Sequence, residues 1–186
     1  MIKHRKFADG NLCLLTENIF NNAEMDWLNV EFDKDDFETS SEDNGSWHEL
    51  NRKYKSVKLP WSFENNFIDR INDEFKLSLE PLMDLWIDEV HPNSSTQMPW
   101  HYDTSTLKVA GQIYFPINTV NENDIGRGTR FLADDIIVCP QYSMGMGYLM
   151  LKNNLLHSPT DMSIHNSNHF EHRRSIYIRE VYKIEE

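Results

Sequence analysis

In "TLKVAGQIYFPI", residues 106–117, Val109, Gly111, Ile113 and Phe115 fall on one face of an extended chain, and Ala110, Gln112 and Tyr114 on the other. Side chains along a strand alternate with a period of two, so the apolar set and the polar-aromatic set face opposite ways. Working outward, the same character runs from about residue 82 to 182. The segments "LMDLWIDEV", "TQMPWHYD", "TRFLADDIIV", "YLMLK", "LLHS" and "RRSIYIREVYK" are separated by turn-rich stretches such as "HPNSS" and "CPQYSMGMG". Five of the seven glycines lie between 111 and 147, where tight turns need them. Short strands at this spacing predict a mainly β, jelly-roll-like core with flanking helices.

The N-terminal third differs. "NLCLLTENIF" (11–20) suits a strand or a short buried segment, and the acidic stretch at 30–47 suits a surface loop. In "SFENNFIDRINDEF" (62–75), Phe63, Phe67, Ile68, Ile71 and Phe75 form one apolar helical face, with Ser62 as N-cap. One domain is expected over 1–186, with 1–81 as helical and irregular support and 82–186 as the β-core. No internal repeat or linker divides it.

Composition narrows the function. The net charge of −12, with no sizeable Lys/Arg cluster, disfavours nucleic acid, whose binders carry a basic face. The 10 Phe, 7 Tyr and 5 Trp supply area for a core despite a hydrophobic content of 39%. No apolar run approaches the ~20 residues of a membrane span. The basic start lacks an apolar h-region, so no signal peptide is expected. Cys13 and Cys139 read as free thiols. A soluble cytoplasmic protein without a membrane or nucleic-acid partner is the expectation; its oligomeric state is not specified by the sequence.

Chemistry concentrates at "MPWHYD" (98–103). His101 and Asp103 stand two apart, so on a strand both point to one side. They are either a pair of metal ligands or a polar strand end. His157, embedded in "LLHSP", offers a third donor. Two imidazoles and one carboxylate leave coordination positions open and suit non-haem Fe(II). On the last strand Arg173, Ser175 and Tyr177 share one face, and Arg174, Ile176 and Ile178 the other. If the isoleucines pack on the helices, Arg173 and Ser175 look inward, where a planar guanidinium fork and a hydroxyl can hold a carboxylate. A surface role for either arginine stays open.

In this order the motifs resemble the Fe(II)/2-oxoglutarate-dependent dioxygenases with a double-stranded β-helix (cupin-like) core. The resemblance covers about 82–182 through "HYD", "GQIYFPI", "GRGTRF" (126–131), "GMGYLML", "LLHSP" and "RRS". "VHPNSSTQMPWHYD" is similar to the prolyl-hydroxylase-like branch. The resemblance implies that His101, Asp103 and His157 hold Fe(II). It implies that 2-oxoglutarate places its distal carboxylate on Arg173 and Ser175, and that O2 is consumed with release of succinate and CO2. The retained Asp103 implies hydroxylation rather than halogenation, of a small molecule such as an amino acid or of a peptidyl residue. "HFEHRRS" departs from the branch and leaves Arg173 against Arg174 open.

Secondary candidates follow. Tyr114, and with it Gln112, faces inward and is a candidate to hydrogen-bond 2-oxoglutarate; a core tyrosine is the alternative. His91 is a candidate pocket residue. Trp100 reads as packing. Arg127 and Arg130 suit either an anionic substrate group or plain surface. His165, His169 and His172 suit a loop bordering the pocket or a second metal site. The rival of a different class is a metal-binding cupin-type protein without turnover. A nucleic-acid demethylase on the same fold is opposed by the charge.

Overall fold

The computed structural model describes residues 1–39, 52–60, 62–79, 86–90, 100–103, 107–117, 128–152, 155–159 and 173–181. The strands are β1 (His4–Phe7), β2 (Leu12–Leu15), β3 (Glu38–Thr39), β4 (Arg52–Ser56), β5 (Trp86–Val90), β6 (Leu107–Tyr114), β7 (Thr129–Ala133), β8 (Ile136–Val138), β9 (Gly147–Met150), β10 (His157–Pro159) and β11 (Arg173–Val181). Among the described residues, the α-helices α1 (Asn22–Phe32) and α2 (Phe67–Phe75) flank them. One sheet has the order β1-β2-β9-β6-β11-β5-β4-β3 and the other β10-β7-β8. All their pairings are antiparallel. The chain is mainly β, a double-stranded β-helix of jelly-roll type with flanking helices. Among the described residues no helix is long and apolar enough to cross a membrane.

The alternation read in 106–117 explains the layering. Val109, Ile113 and Phe115 are buried on the outer face of the large sheet with Ile87, Ile176 and Ile178, against Leu28, Phe32, Phe67, Ile68 and Ile71 from the helical side. On the inner face, Ala110, Tyr148 and Met150 meet Phe131, Ala133 and Val138 of the small sheet. Both faces of β6 are therefore covered, which suits a central strand. Gly111 is required by close approach: a Cβ there would lie 2.7 Å from the Tyr148 carbonyl oxygen.

Several expectations shift. The helix expected over 62–75 with Ser62 as cap begins at Phe67, and Asn66 caps it by accepting from the Ile68 and Asp69 amides. Asn65, at φ 50°, interrupts the helical path, and Phe63 instead packs edge-to-face on Trp27 at 6.1 Å. The acidic stretch from residue 30 is not all loop. It holds the end of α1 and β3, while 40–47 lie outside the described residues. The N-terminal part also supplies β1–β4, so the large sheet crosses the compositional change near residue 82.

The helices are tied by an ion pair. Glu24 is buried and completes a capping box with Asn21 at the start of α1. Arg70 of α2 donates to both Glu24 oxygens, at 3.1 and 2.6 Å, and to the Ile19 carbonyl. Glu24→Ala leaves this guanidinium without its partner and removes a cap. We expect about 3 kcal/mol of lost stability, read as a lower urea midpoint. A loss under about 1 kcal/mol would mean that the pair is not what joins the helices.

Candidate functional site

The first cluster is assembled by backbone pairing. His101 and His157 form an isolated antiparallel bridge and exchange two N–H···O bonds of 2.9 Å. Directly opposed residues share a face, and the two rings lie 4.4 Å apart between centroids. Asp103, two residues on, turns to the same side. Its Oδ1 is 3.5 Å from His157 Nε2 and 4.0 Å from His101 Nε2. One donor atom from each of the three lies within 4.8 Å of the others. His157 is buried while His101 and Asp103 are about a quarter exposed, so the cluster opens toward solvent on one side.

Orientation is set from behind. His157 Nδ1 is 3.0 Å from the Leu155 carbonyl oxygen. A carbonyl only accepts, so Nδ1 carries a hydrogen, and Nε2, turned toward Asp103, is the nitrogen left to ligate a metal. The Phe131 ring stacks on the imidazole at 5.7 Å. Burial opposes charging of His157, yet the Asp103 carboxylate and the Leu155 carbonyl outweigh it and hold the pKa above the ordinary imidazole value. The donor set fits an Fe(II) ion by its chemistry: two nitrogens and one carboxylate oxygen on one side, with positions left open.

The second cluster lies on the inner face of β6 and β11. Arg173 is buried, and its Nη2 donates to Gln112 Oε1 at 2.5 Å and to Thr129 Oγ1 at 3.5 Å. Its Nε is buried and has no hydrogen-bond partner among the described residues. A buried guanidinium with an unused donor is a fitting counterpart for a ligand carboxylate. Its carbon sits 5.6 Å from the Tyr114 ring centre. The Tyr114 hydroxyl accepts from the Thr129 amide at 2.9 Å. That leaves the hydroxyl's own hydrogen to donate, and burial raises the Tyr114 pKa, so the phenol stays neutral.

Arg174 is on the opposite face. It pairs with Glu89 at 3.0 Å and with Asp33 at 3.6 Å, over the Phe32 ring at 5.1 Å. Ser175 faces inward as expected. It is buried beside Arg173, but its hydroxyl donates to Asp88 Oδ1 and accepts from Gln112 Nε2 at 2.7 Å. Its hydrogen thus points to a buried carboxylate within the protein. Gln112, read only as a companion of Tyr114, is the hub between Arg173 and Ser175.

Three inner-face residues escaped the sequence reading. Asp88 pairs in register with Ser175. Thr129 joins Tyr114, Gln112 and Arg173. Tyr148, opposite Gln112, is buried, meets Phe131 at 4.6 Å and has a phenol pKa pushed well up by burial, with Tyr177, Tyr114 and Asp103 adding to it. Alternation in "GYLM" puts Tyr148 and Met150 on one face, and that signal was there to be used.

Of the remaining candidates, Arg130 lies over the Trp100 ring at 5.3 Å and donates to Ser158 at 3.2 Å. Trp100 remains 37% exposed, so it is a rim residue rather than core packing. His91, Arg127, His165, His169 and His172 lie outside the described residues. Both cysteines are free.

No family model matches the sequence, and no curated protein matches it. Among solved structures, the chain is similar to a prolyl-4-hydroxylase from Pseudomonas putida, with a TM-score of 0.55 and 13% identity over 92% of this chain and 93% of that one. At this identity the likeness is one of fold, and it extends over nearly the whole of both chains.

Proposed function

We propose that the chain is an Fe(II)- and 2-oxoglutarate-dependent dioxygenase that hydroxylates a compact substrate, a small molecule or a peptidyl residue. The observation that carries this reading is the pairing of two clusters in one fold. The fold holds both a His101–Asp103–His157 donor set and a buried Arg173 with an unused Nε donor. The fold likeness to a hydroxylase supports it.

The roles follow from position. His101, Asp103 and His157 would hold the metal, with the Leu155 carbonyl fixing the tautomer of His157. Arg173 would take the distal carboxylate of the 2-oxoacid through its unused Nε–H. Tyr114 would donate its phenolic hydrogen to the same carboxylate. Ser175, its hydrogen committed to Asp88, would orient Gln112 rather than touch the ligand. Phe131, Tyr148 and Met150, buried between the sheets, exclude water from the space beside the metal. Iron, when bound, supplies O2 activation coupled to oxidative decarboxylation of the 2-oxoacid. The balance is one 2-oxoglutarate, one O2 and one C–H bond giving succinate, CO2 and C–OH.

The test is Fe(II)-dependent conversion of 2-oxoglutarate to succinate by the purified protein, supplied with candidate amino acids and peptides. Succinate formation stimulated by one substrate class supports the reading. Tight metal binding with no succinate under any condition would instead favour a metal-binding protein without turnover.

A further inference from the structure

The proposed reading gives Arg173 a ligand but does not explain how a guanidinium is tolerated in the interior before that ligand arrives. Burial alone disfavours its charge. Among the described residues, the buried acid on this face is Asp88, 2% exposed on β5. A chain of side chains joins the two. Arg173 donates to Gln112 Oε1, Gln112 Nε2 donates to Ser175 Oγ, and Ser175 donates to Asp88 Oδ1. Every donor points from the cation toward the anion, an alignment in which each bond strengthens the next. Register fixes this arrangement, because Ser175 lies opposite Asp88 on one side and Tyr114 on the other.

We infer that Asp88 is the resident counter-anion of the Arg173 pocket, and a positioning residue that sets how tightly the pocket holds a dicarboxylate and how readily it releases it. The inference rests on the reading of Arg173 as the carboxylate anchor. Without ligand, the Arg173 guanidinium is linked through Gln112 and Ser175 to the Asp88 carboxylate. A bound carboxylate adds a second negative charge against one guanidinium, so Asp88 weakens binding. The effect falls on 2-oxoglutarate and succinate alike, since both present the same distal carboxylate. It keeps the four-carbon product from occupying the site after turnover. Of the other charged groups described on this part of the sheet, Arg174 and Glu89 pair with each other on the outer face, and Arg179, on the same face of β11 as Arg173, lies over the Trp86 ring at 3.8 Å.

The test is a calorimetric titration of succinate, under nitrogen, into Fe(II)-loaded wild-type, Asp88→Asn, Asp88→Ser and Arg173→Gln proteins. Asn keeps the shape and an acceptor for Ser175 but not the charge. The inference predicts that Asp88→Asn binds succinate roughly tenfold or more tighter than wild type, although its ligand-free melting temperature is lower. Succinate should restore that temperature. A purely structural Asp88 predicts weaker or unchanged binding, and either result in folded Asp88→Asn overturns the inference. Should Asp88→Asn not fold, Asp88→Ser decides, with tighter succinate binding supporting the inference and unchanged or weaker binding overturning it. If wild type binds and Arg173→Gln does not, the anchor stands and only the role of Asp88 is at stake. If wild type takes up no succinate, the carboxylate reading of the pocket fails first.

Discussion

Asp103→Ala should lower Fe(II) affinity by more than about 100-fold and reduce substrate-stimulated succinate formation below detection, while the protein stays folded. Asp103 is the only carboxylate in the three-residue donor set, and without it two neutral imidazoles must hold a dication. Its side chain is about a quarter exposed, so truncation opens no sealed cavity. The buried partner His157 keeps its Leu155 bond and its Phe131 contact. An unchanged far-UV spectrum alongside lost metal would separate the site from the scaffold. Full turnover in Asp103→Ala would show that the metal is held elsewhere.

The second large effect belongs to Arg173. Arg173→Ala removes the interior cation and should raise the apparent KM for 2-oxoglutarate on the order of 100-fold, the worth of one or two bonds to a charged group. Fe(II) binding should be little changed. Arg174→Ala should leave that KM within about threefold and instead cost about 1–3 kcal/mol in stability, because its bonds go to Glu89 and Asp33 and its plane covers Phe32. Parallel initial-rate and urea-melt measurements check both. A larger KM change in Arg174→Ala than in Arg173→Ala would reverse the two faces of β11.

Those faces were legible because period-two alternation survives wherever both sides of a strand are buried by different partners. "RRSIYI" puts isoleucines toward the helices and leaves Arg173 no other direction. His101, Asp103 and His157 could be grouped from donor chemistry, though only the bridge between His101 and His157 shows what brings positions 56 residues apart into contact. What the sequence concealed was set by tertiary context. The start of α2 was misplaced because Phe63 mimics the helical spacing while belonging to Trp27. α1 is not legible in the sequence because Met25, Leu28 and Phe32 are interleaved with acids, one of which, Glu24, is itself buried by Arg70. The bond from Ser175 to Asp88 is invisible in the sequence because no local pattern marks a register partner 87 residues away.

The most direct test of the central claim is anaerobic titration of the protein with Fe(II), followed by 2-oxoglutarate, with the visible absorption recorded at each step. The account predicts a weak visible band that appears only when both are present, saturates at one equivalent of iron, and is absent in Asp103→Ala. Iron bound at one equivalent with no band at any 2-oxoglutarate concentration would contradict it, and would leave a metal site without the co-substrate that the Arg173 pocket is proposed to hold.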